Sequence, residues 1–172
     1  MAYSPSAVAN TLFNIAREAK VALDPMKMQK LVYFAHGWHL GLSDGALITE
    51  PIEAWDYGPV VASLYRELKP YGAGQILDTI RDFAPKPEGG FALVSPTIDD
   101  AKEKAFLVRI LQVYGKLSAL QLSEMTHRPD TPWSVTRVKF PGRCGSVIPD
   151  TLMGSYFKQL AEQNARTAAA RA

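Results

Sequence analysis

Apolar positions recur at helical spacing along most of this chain. From Met28 to Leu42 the large or apolar residues are Met28, Leu31, Val32, Ala35, Trp38, His39 and Leu42. That is the i, i+3, i+4, i+7 rhythm of one buried helix face. Asp24 is a good N-cap, and Pro25 suits the first helical position, where its missing N–H costs nothing. Ser43-Asp44-Gly45 predicts the stop, because Asp-Gly tolerates the positive φ of a tight turn. A first helix is predicted from Ser4-Pro5 to near Val21, with Val8, Leu12, Ile15, Ala16 and Ala19 on its apolar face.

The period then changes. Leu47 to Trp55 reads as a short extended passage broken at Pro51, and a proline cannot donate to a sheet ladder. A small edge hairpin or a pair of extended arms is expected there, not a central strand. Tyr57-Gly58-Pro59 reads as a helix restart, with Val60, Val61, Leu64, Tyr65 and Leu68 as its stripe and Gly72 and Gly74 as its end. Ala73 to Pro96 is the least regular segment. Ile76, Leu77 and Ile80 fit a helical turn or a short strand, Pro85 to Gly90 is a loop by composition, and Phe91 to Val94 fits a short strand.

Helical spacing resumes at Thr97 or Asp99, with Ala105, Phe106, Val108, Leu111 and Val113 as a wide apolar face and Gly115 as the end. Acidic residues in its first turns suit the positive end of the helix dipole. Ser118-Ala-Leu-Gln121 is a capping box opening a short helix to about Thr126, predicted to bury Leu120 and Leu122. Asp130 or Thr131 caps a further helix with Pro132 at its first position and Trp133 as anchor. Phe140 to Gly145 is turn-rich. Asp150 opens a last helix with Leu152, Met153, Tyr156, Phe157 and Leu160 on one face. Beyond Glu162 the chain is alanine-rich with Arg166 and Arg171, helical by propensity but with little to bury.

The elements sum to a mainly α fold: one compact domain of six or seven helices with a small β-hairpin-like element near 47–55. The domain is expected over 1–165, with 166–172 a frayed tail. A length of 172 residues suits one such domain. Composition is ordinary for a globular chain, at 47% hydrophobic and 21% charged. A net charge of +2 is too mild to argue for nucleic acid. The one cysteine, Cys144, excludes an internal disulfide and fits an intracellular protein. No apolar run approaches the roughly eighteen residues of a membrane span, and no basic segment followed by an apolar core opens the chain. A cytoplasmic protein is expected.

The residues offer several candidate chemistries. His36 and His39 share a helix face, and His127 could complete a metal site. They lack a zincin pattern, a cysteine pair or an acidic cluster at matching spacing, so hydrogen-bonded structural histidines are the simpler reading. Cys144 follows Arg143, a cation that could lower its pKa, but no nucleophile signature surrounds it. No glycine-rich phosphate loop is present. Residues 105–128 have the spacing of a helix-turn-helix around Tyr114-Gly115. Its second helix offers only Gln121 to base edges, Glu124 opposes phosphate, and only Lys116 and Arg128 flank it. A DNA-binding regulator is the alternative reading of the chain.

Two blocks carry a resemblance. The first is Met26 to Ala35, Gly37-Trp38-His39, and Ile52 to Val61 followed by Tyr65. The second is Leu122-Ser123, Thr126-His127 and Pro132-Trp133. Together they resemble the Panacea domain of SocA-like and GepA-like phage-associated antitoxins, over roughly residues 8 to 160. Met28 departs from the leucine more usual there, a swap of apolar residues that a core accommodates. The resemblance implies a non-enzymatic antitoxin with no cofactor. It implies a cognate protein toxin as partner, blocked by direct binding or, for SocA-like members, delivered to a AAA+ protease. Trp55, Asp56 and Tyr57 lie at the junction of extended arm and helix, and Trp and Tyr are favoured interface anchors. With Tyr65 and Arg66 they are the expected partner-contacting residues.

Overall fold

The computed structural model describes residues 2–43 and 45–171. Seven helices are described: α1 (Pro5–Glu18), α2 (Pro25–Ser43), α3 (Ala62–Leu68), α4 (Ala101–Tyr114), α5 (Ala119–His127), α6 (Pro132–Lys139) and α7 (Asp150–Arg171). Five short strands accompany them: β1 (Ile52–Trp55), β2 (Gly58–Val60), β3 (Asp82–Pro85), β4 (Phe91–Val94) and β5 (Ser146–Ile148). The fold is mainly α, as expected. The stop read at Asp44 lies outside the described residues, although α2 does reach Ser43.

Helix α2 is the axis of the molecule. Every residue from Lys27 to Gly37 is buried, because α1, α3, α4, α5, α7 and β2 all pack around it. Its longest contact is with α7, and glycines permit it. A Cβ added at Gly37 would lie 2.1 Å from the ring of Phe157, and one at Gly41 would lie 2.8 Å from the backbone nitrogen of Lys158. Phe157 sits edge-on to Tyr33, Phe34, Trp38 and Tyr156. Tyr114 stacks on Phe34 with centroids 4.4 Å apart, and its hydroxyl accepts from Trp38 Nε1 at 2.7 Å.

The irregular segment between α3 and α4 is tied down by α1. Buried Asn10 accepts from Ile80 N at 2.8 Å and donates to Ile80 O and Pro96 O, both at 2.9 Å. Thr11 Oγ1 accepts from Ile98 N at 2.9 Å. Ile76, Ile80 and Ile98 are thereby buried in an otherwise exposed passage. Strands β3 and β4 form a hairpin that pairs Phe83 with Leu93 and Pro85 with Phe91. These four residues share one face of the ribbon, and Phe83 and Phe91 are 76% and 69% exposed.

The structure departs from five sequence expectations. Residues 58–60 are strand, not helix, and α3 begins at Ala62. The β element therefore spans Ile52 to Val60 and is joined by β5 in the order β2-β1-β5, which makes β1 central and not an edge. Pro51 lies just before β1, while Pro59 sits on edge strand β2, where a missing donor is tolerated. Ile76 to Ile80 form neither a helical turn nor a strand, since Asn10 supplies the bonds that a regular element would. On α4 the buried residues are Leu107, Ile110, Leu111 and Tyr114, with Ala105 and Val113 exposed, and on α5 Leu120 is exposed while Leu122 is buried. The expected helix starts at Pro5, Pro25, Pro132 and Asp150 are found as read, and the capping box of Ser118 and Gln121 is formed. Helix α7 continues to Arg171, with every residue from Glu162 to Ala170 exposed.

Candidate functional site

The site grows from the first turns of α2. Asp24 Oδ1 caps them by accepting from Lys27 N at 2.9 Å. One turn on, Gln29 and Lys30 reach across to the end of the β hairpin. Gln29 accepts from Val61 N at 2.9 Å and donates to Val61 O at 3.2 Å, as a neighbouring strand would. Lys30 Nζ donates to Pro59 O at 3.2 Å. Gly58, with φ +108°, lets the backbone pass closely over this amine: an added Cβ would stand 2.6 Å from Nζ and 3.0 Å from Thr126 Oγ1. A tight hairpin is the consequence, pairing Trp55 with Gly58.

The other side of that turn is gripped by α5 and α6. Trp133 Nε1 donates to Trp55 O at 2.8 Å. The His127 ring faces Asp56 O through Nε2 at 3.3 Å. Ser123 Oγ donates to Tyr57 O at 3.0 Å. Arg137 adds an ion pair to Asp56 Oδ1 at 2.8 Å and a longer bond to Ala54 O at 3.4 Å. Four consecutive carbonyls, from Ala54 to Tyr57, thus have side-chain partners. Here the two distant sequence blocks meet, one supplying the turn and the other the groups that hold its backbone.

Holding the backbone leaves the turn's side chains outside. Tyr57 is 78% exposed. The Trp55 ring lies against Tyr65 with centroids 4.9 Å apart, and its Nε1 donates to Glu53 Oε2 at 2.7 Å. Between the turn, the start of α2 and α3 opens a mainly apolar groove of about 610 Å³. Trp55, Asp56, Tyr57 and Tyr65 all line it, with Met26, Val60 and Leu68 as further apolar wall and Lys69 and Cys144 at its margin. Four of the five residues expected to contact a partner are therefore brought together. Arg66 is exposed on α3 but does not line the groove.

The sequence reading missed Lys30, which lines the groove at 1% exposure. Burial pulls its pKa down to about 7. The signal available was the unbroken apolar run from Leu31 to Ala35, which covers more than one face of α2 and leaves no wide polar face for the residues beside it. Lys27, on the same helix, is also buried and is lowered by burial, with Asp24 opposing, and it donates to Gly115 O at 2.6 Å.

The histidines fall in three separate networks. His36 is buried. Its Nδ1 accepts from Leu47 N and Ile48 N at 3.3 and 3.4 Å, which fixes the proton on Nε2, facing Asp150 Oδ1 at 3.1 Å. Burial lowers its pKa, and Asp150 partly opposes this. His39 faces Gly45 O at 2.7 Å and Glu103 at 3.4 Å, and His127 belongs to the turn. On α5, Gln121 spends its side-chain oxygen on Ser118 N at 2.9 Å, so the group most suited to reading a base edge is engaged in its own cap. Among the described residues no helix is long and apolar enough to cross a membrane.

Comparison with known proteins bears on this site. A family model described as the antitoxin SocA-like Panacea domain matches residues 28–134, which include the turn and its clamps Ser123, His127 and Trp133. The antitoxin SocA of Caulobacter vibrioides (strain NA1000 / CB15N) is 33% identical over 131 residues, covering 75% of this chain and 68% of that protein. No solved structure matches.

Proposed function

The chain belongs to the SocA-like Panacea antitoxin domain family, and from that premise we propose that it neutralises a cognate protein toxin by binding it directly through the groove beside the Trp55–Tyr57 turn. The supporting observation is the turn itself. Its carbonyls are faced by side chains of α5 and α6, which hold its path before any partner arrives, while Tyr57, Trp55 and Tyr65 present aromatic surface around an apolar groove. Preformed aromatic anchors lose little entropy on binding and dominate interface energetics. Asp56 supplies charge at the rim, where it steers encounter and fixes partner choice.

The test is co-expression with the product of the adjacent gene, read by growth and by co-purification. The expected result is rescue of growth with a stoichiometric complex. Asp56→Arg abolishes rescue while changing folding stability by no more than ~1 kcal/mol, since the ion pair to Arg137 is largely exposed on the Asp56 side. Rescue that survives both Asp56→Arg and Tyr57→Ser refutes the groove as the contact face. Rescue without a complex, lost in a host lacking its AAA+ proteases, assigns the protein to proteolytic delivery instead.

A further inference from the structure

Resting on the reading just given, we propose that the floor of this groove is a carboxylate site: Lys30 receives an aspartate or glutamate side chain carried by an apolar segment of the protein toxin. A lysine ammonium has three donor hydrogens. Lys30 Nζ has one acceptor among the described residues, Pro59 O at 3.2 Å. No carboxylate among the described residues is paired with it. Asp24 caps α2 and accepts from Lys27 N. Asp56, the groove's own acid, is turned to Arg137 at 2.8 Å. Glu53 accepts from Trp55 Nε1.

The other polar and titratable groups of the groove and its neighbouring elements offer no charge to balance it. From α2 come Lys27, itself a cation, and Gln29, both of whose amide atoms are engaged by Val61. From α3 and its exit come Tyr65 and Lys69, and Cys144 lies at the margin. From α5 come Thr126, whose hydroxyl donates to Ser123 O at 2.7 Å, and His127, which faces Ser123 O and Asp56 O. Burial is the sole cause of the fall in the Lys30 pKa to about 7. An amine that lines an apolar groove, at the edge of losing its proton, is matched by an anion that arrives with an apolar body. The anion restores the proton, and the pair forms where solvent is excluded.

Proton uptake distinguishes this pair from any other contact. The chain and the adjacent-gene toxin, separated from their co-expressed complex and refolded, are titrated by calorimetry in two buffers of different ionisation enthalpy. At pH 8 Lys30 is mostly neutral in the free protein, so close to one proton is taken up per complex, falling towards zero below pH 6. Lys30→Met removes the uptake and weakens binding at least ~30-fold, with no loss of thermal stability. On the toxin, one Asp→Asn or Glu→Gln substitution reproduces both effects. Absence of uptake by the wild-type complex at pH 8 overturns the proposal without needing any variant. So does Lys30→Met binding as tightly as wild type. If either occurs while Tyr57→Ser still loses binding, the groove remains the contact face and only the carboxylate site falls. If Tyr57→Ser and Lys30→Met both bind normally, both readings fall together.

Discussion

Replacing Lys30 with methionine should stabilise this protein, by an amount that depends on pH. Lys30 is 1% exposed, and burial takes its pKa from 10.5 to about 7. At about 1.4 kcal/mol per pH unit, the native state at pH 7 is ~4 kcal/mol less stable than if the site held no titrating group. The sign follows from proton counts. Between pH 7 and 10.5 the unfolded chain holds a proton on Lys30 that the folded chain has released, so wild-type stability rises with pH across that window. Below pH 7 both states are protonated, and this group adds no further pH dependence. Methionine has a similar length and no charge, but it leaves Pro59 O without its donor, a loss of ~1 kcal/mol. The net gain for Lys30→Met is therefore about 3 kcal/mol at pH 7 and about 1 kcal/mol at pH 9. In a chain of this size 3 kcal/mol raises Tm by roughly 6–12 °C.

Urea unfolding at pH 7 and pH 9, wild type beside variant, reads these quantities directly. The comparison matters because Lys27 is also lowered by burial and gives both proteins a common slope. A variant less stable than wild type at pH 7, or a difference that is the same at both pH values, refutes the reasoning: the amine would then be a structural donor in a polar setting. The expected outcome has a functional reading as well. A lysine whose removal stabilises the fold is retained for something other than the fold, and the groove it lines is where that role would be found.

Four other variants have expected outcomes. Gly37→Ala places a Cβ 2.1 Å from a Phe157 ring that four aromatic neighbours hold in place, and should cost ~2–3 kcal/mol in thermal or urea unfolding; Gly154→Ala, whose Cβ meets nothing nearer than Leu40 Cβ at 3.6 Å, should be neutral or stabilising by up to ~1 kcal/mol. Asn10→Ala strands Ile80 N, Ile80 O and Pro96 O, so a loss of ~2–4 kcal/mol is expected, with faster amide hydrogen exchange across residues 76–98. His36 is lowered by burial from 6.5: the unfolded chain takes the proton first, so stability falls as pH drops below about 6.5, and Asp150→Asn should steepen that fall by removing the one opposing charge, measured as urea midpoints at pH 7 and pH 5.

What the sequence makes legible here is what short-range chemistry decides. Caps and first-turn prolines are local, and the starts of α1, α2, α5, α6 and α7 were readable from them. Pro59 shows the limit. A proline after Tyr57-Gly58 carries the same local signature as Pro25 or Pro132, yet it lies in β2, because β1 pairs with it and Gln29 and Lys30 bond the backbone that follows. Gln29 and Lys30 lie about thirty residues away in the chain, and no short window on the sequence contains them. The apolar face of α4 failed for a similar reason: Ala105 and Val113 suit a stripe as well as Leu107 and Ile110 do, and only the position of α1 and α2 decides which side is covered.

The candidate site divides along the same line. Trp55, Asp56 and Tyr57 were legible as candidate contact residues at a junction, with Tyr65 on the helix that follows, but the roles of Ser123, His127 and Trp133 were not. Read along the chain they belong to the second block of the resemblance, on two short helices, and nothing in the sequence ties them to the turn. In the fold they donate to, or face, the carbonyls of residues 55–57, and that is why the two blocks of the sequence belong together. The geometry has a consequence for the side chains. Because the clamps take backbone oxygens, the path of the turn at residue 57 does not depend on which side chain stands there. Asp56 is different, since its carboxylate also holds Arg137, and a change at 56 mixes surface chemistry with a lost contact. Tyr57→Ser removes most of an exposed ring and leaves the Ser123 bond to Tyr57 O untouched. A loss of toxin binding in that variant therefore reports on the surface the groove offers and not on how the turn is held.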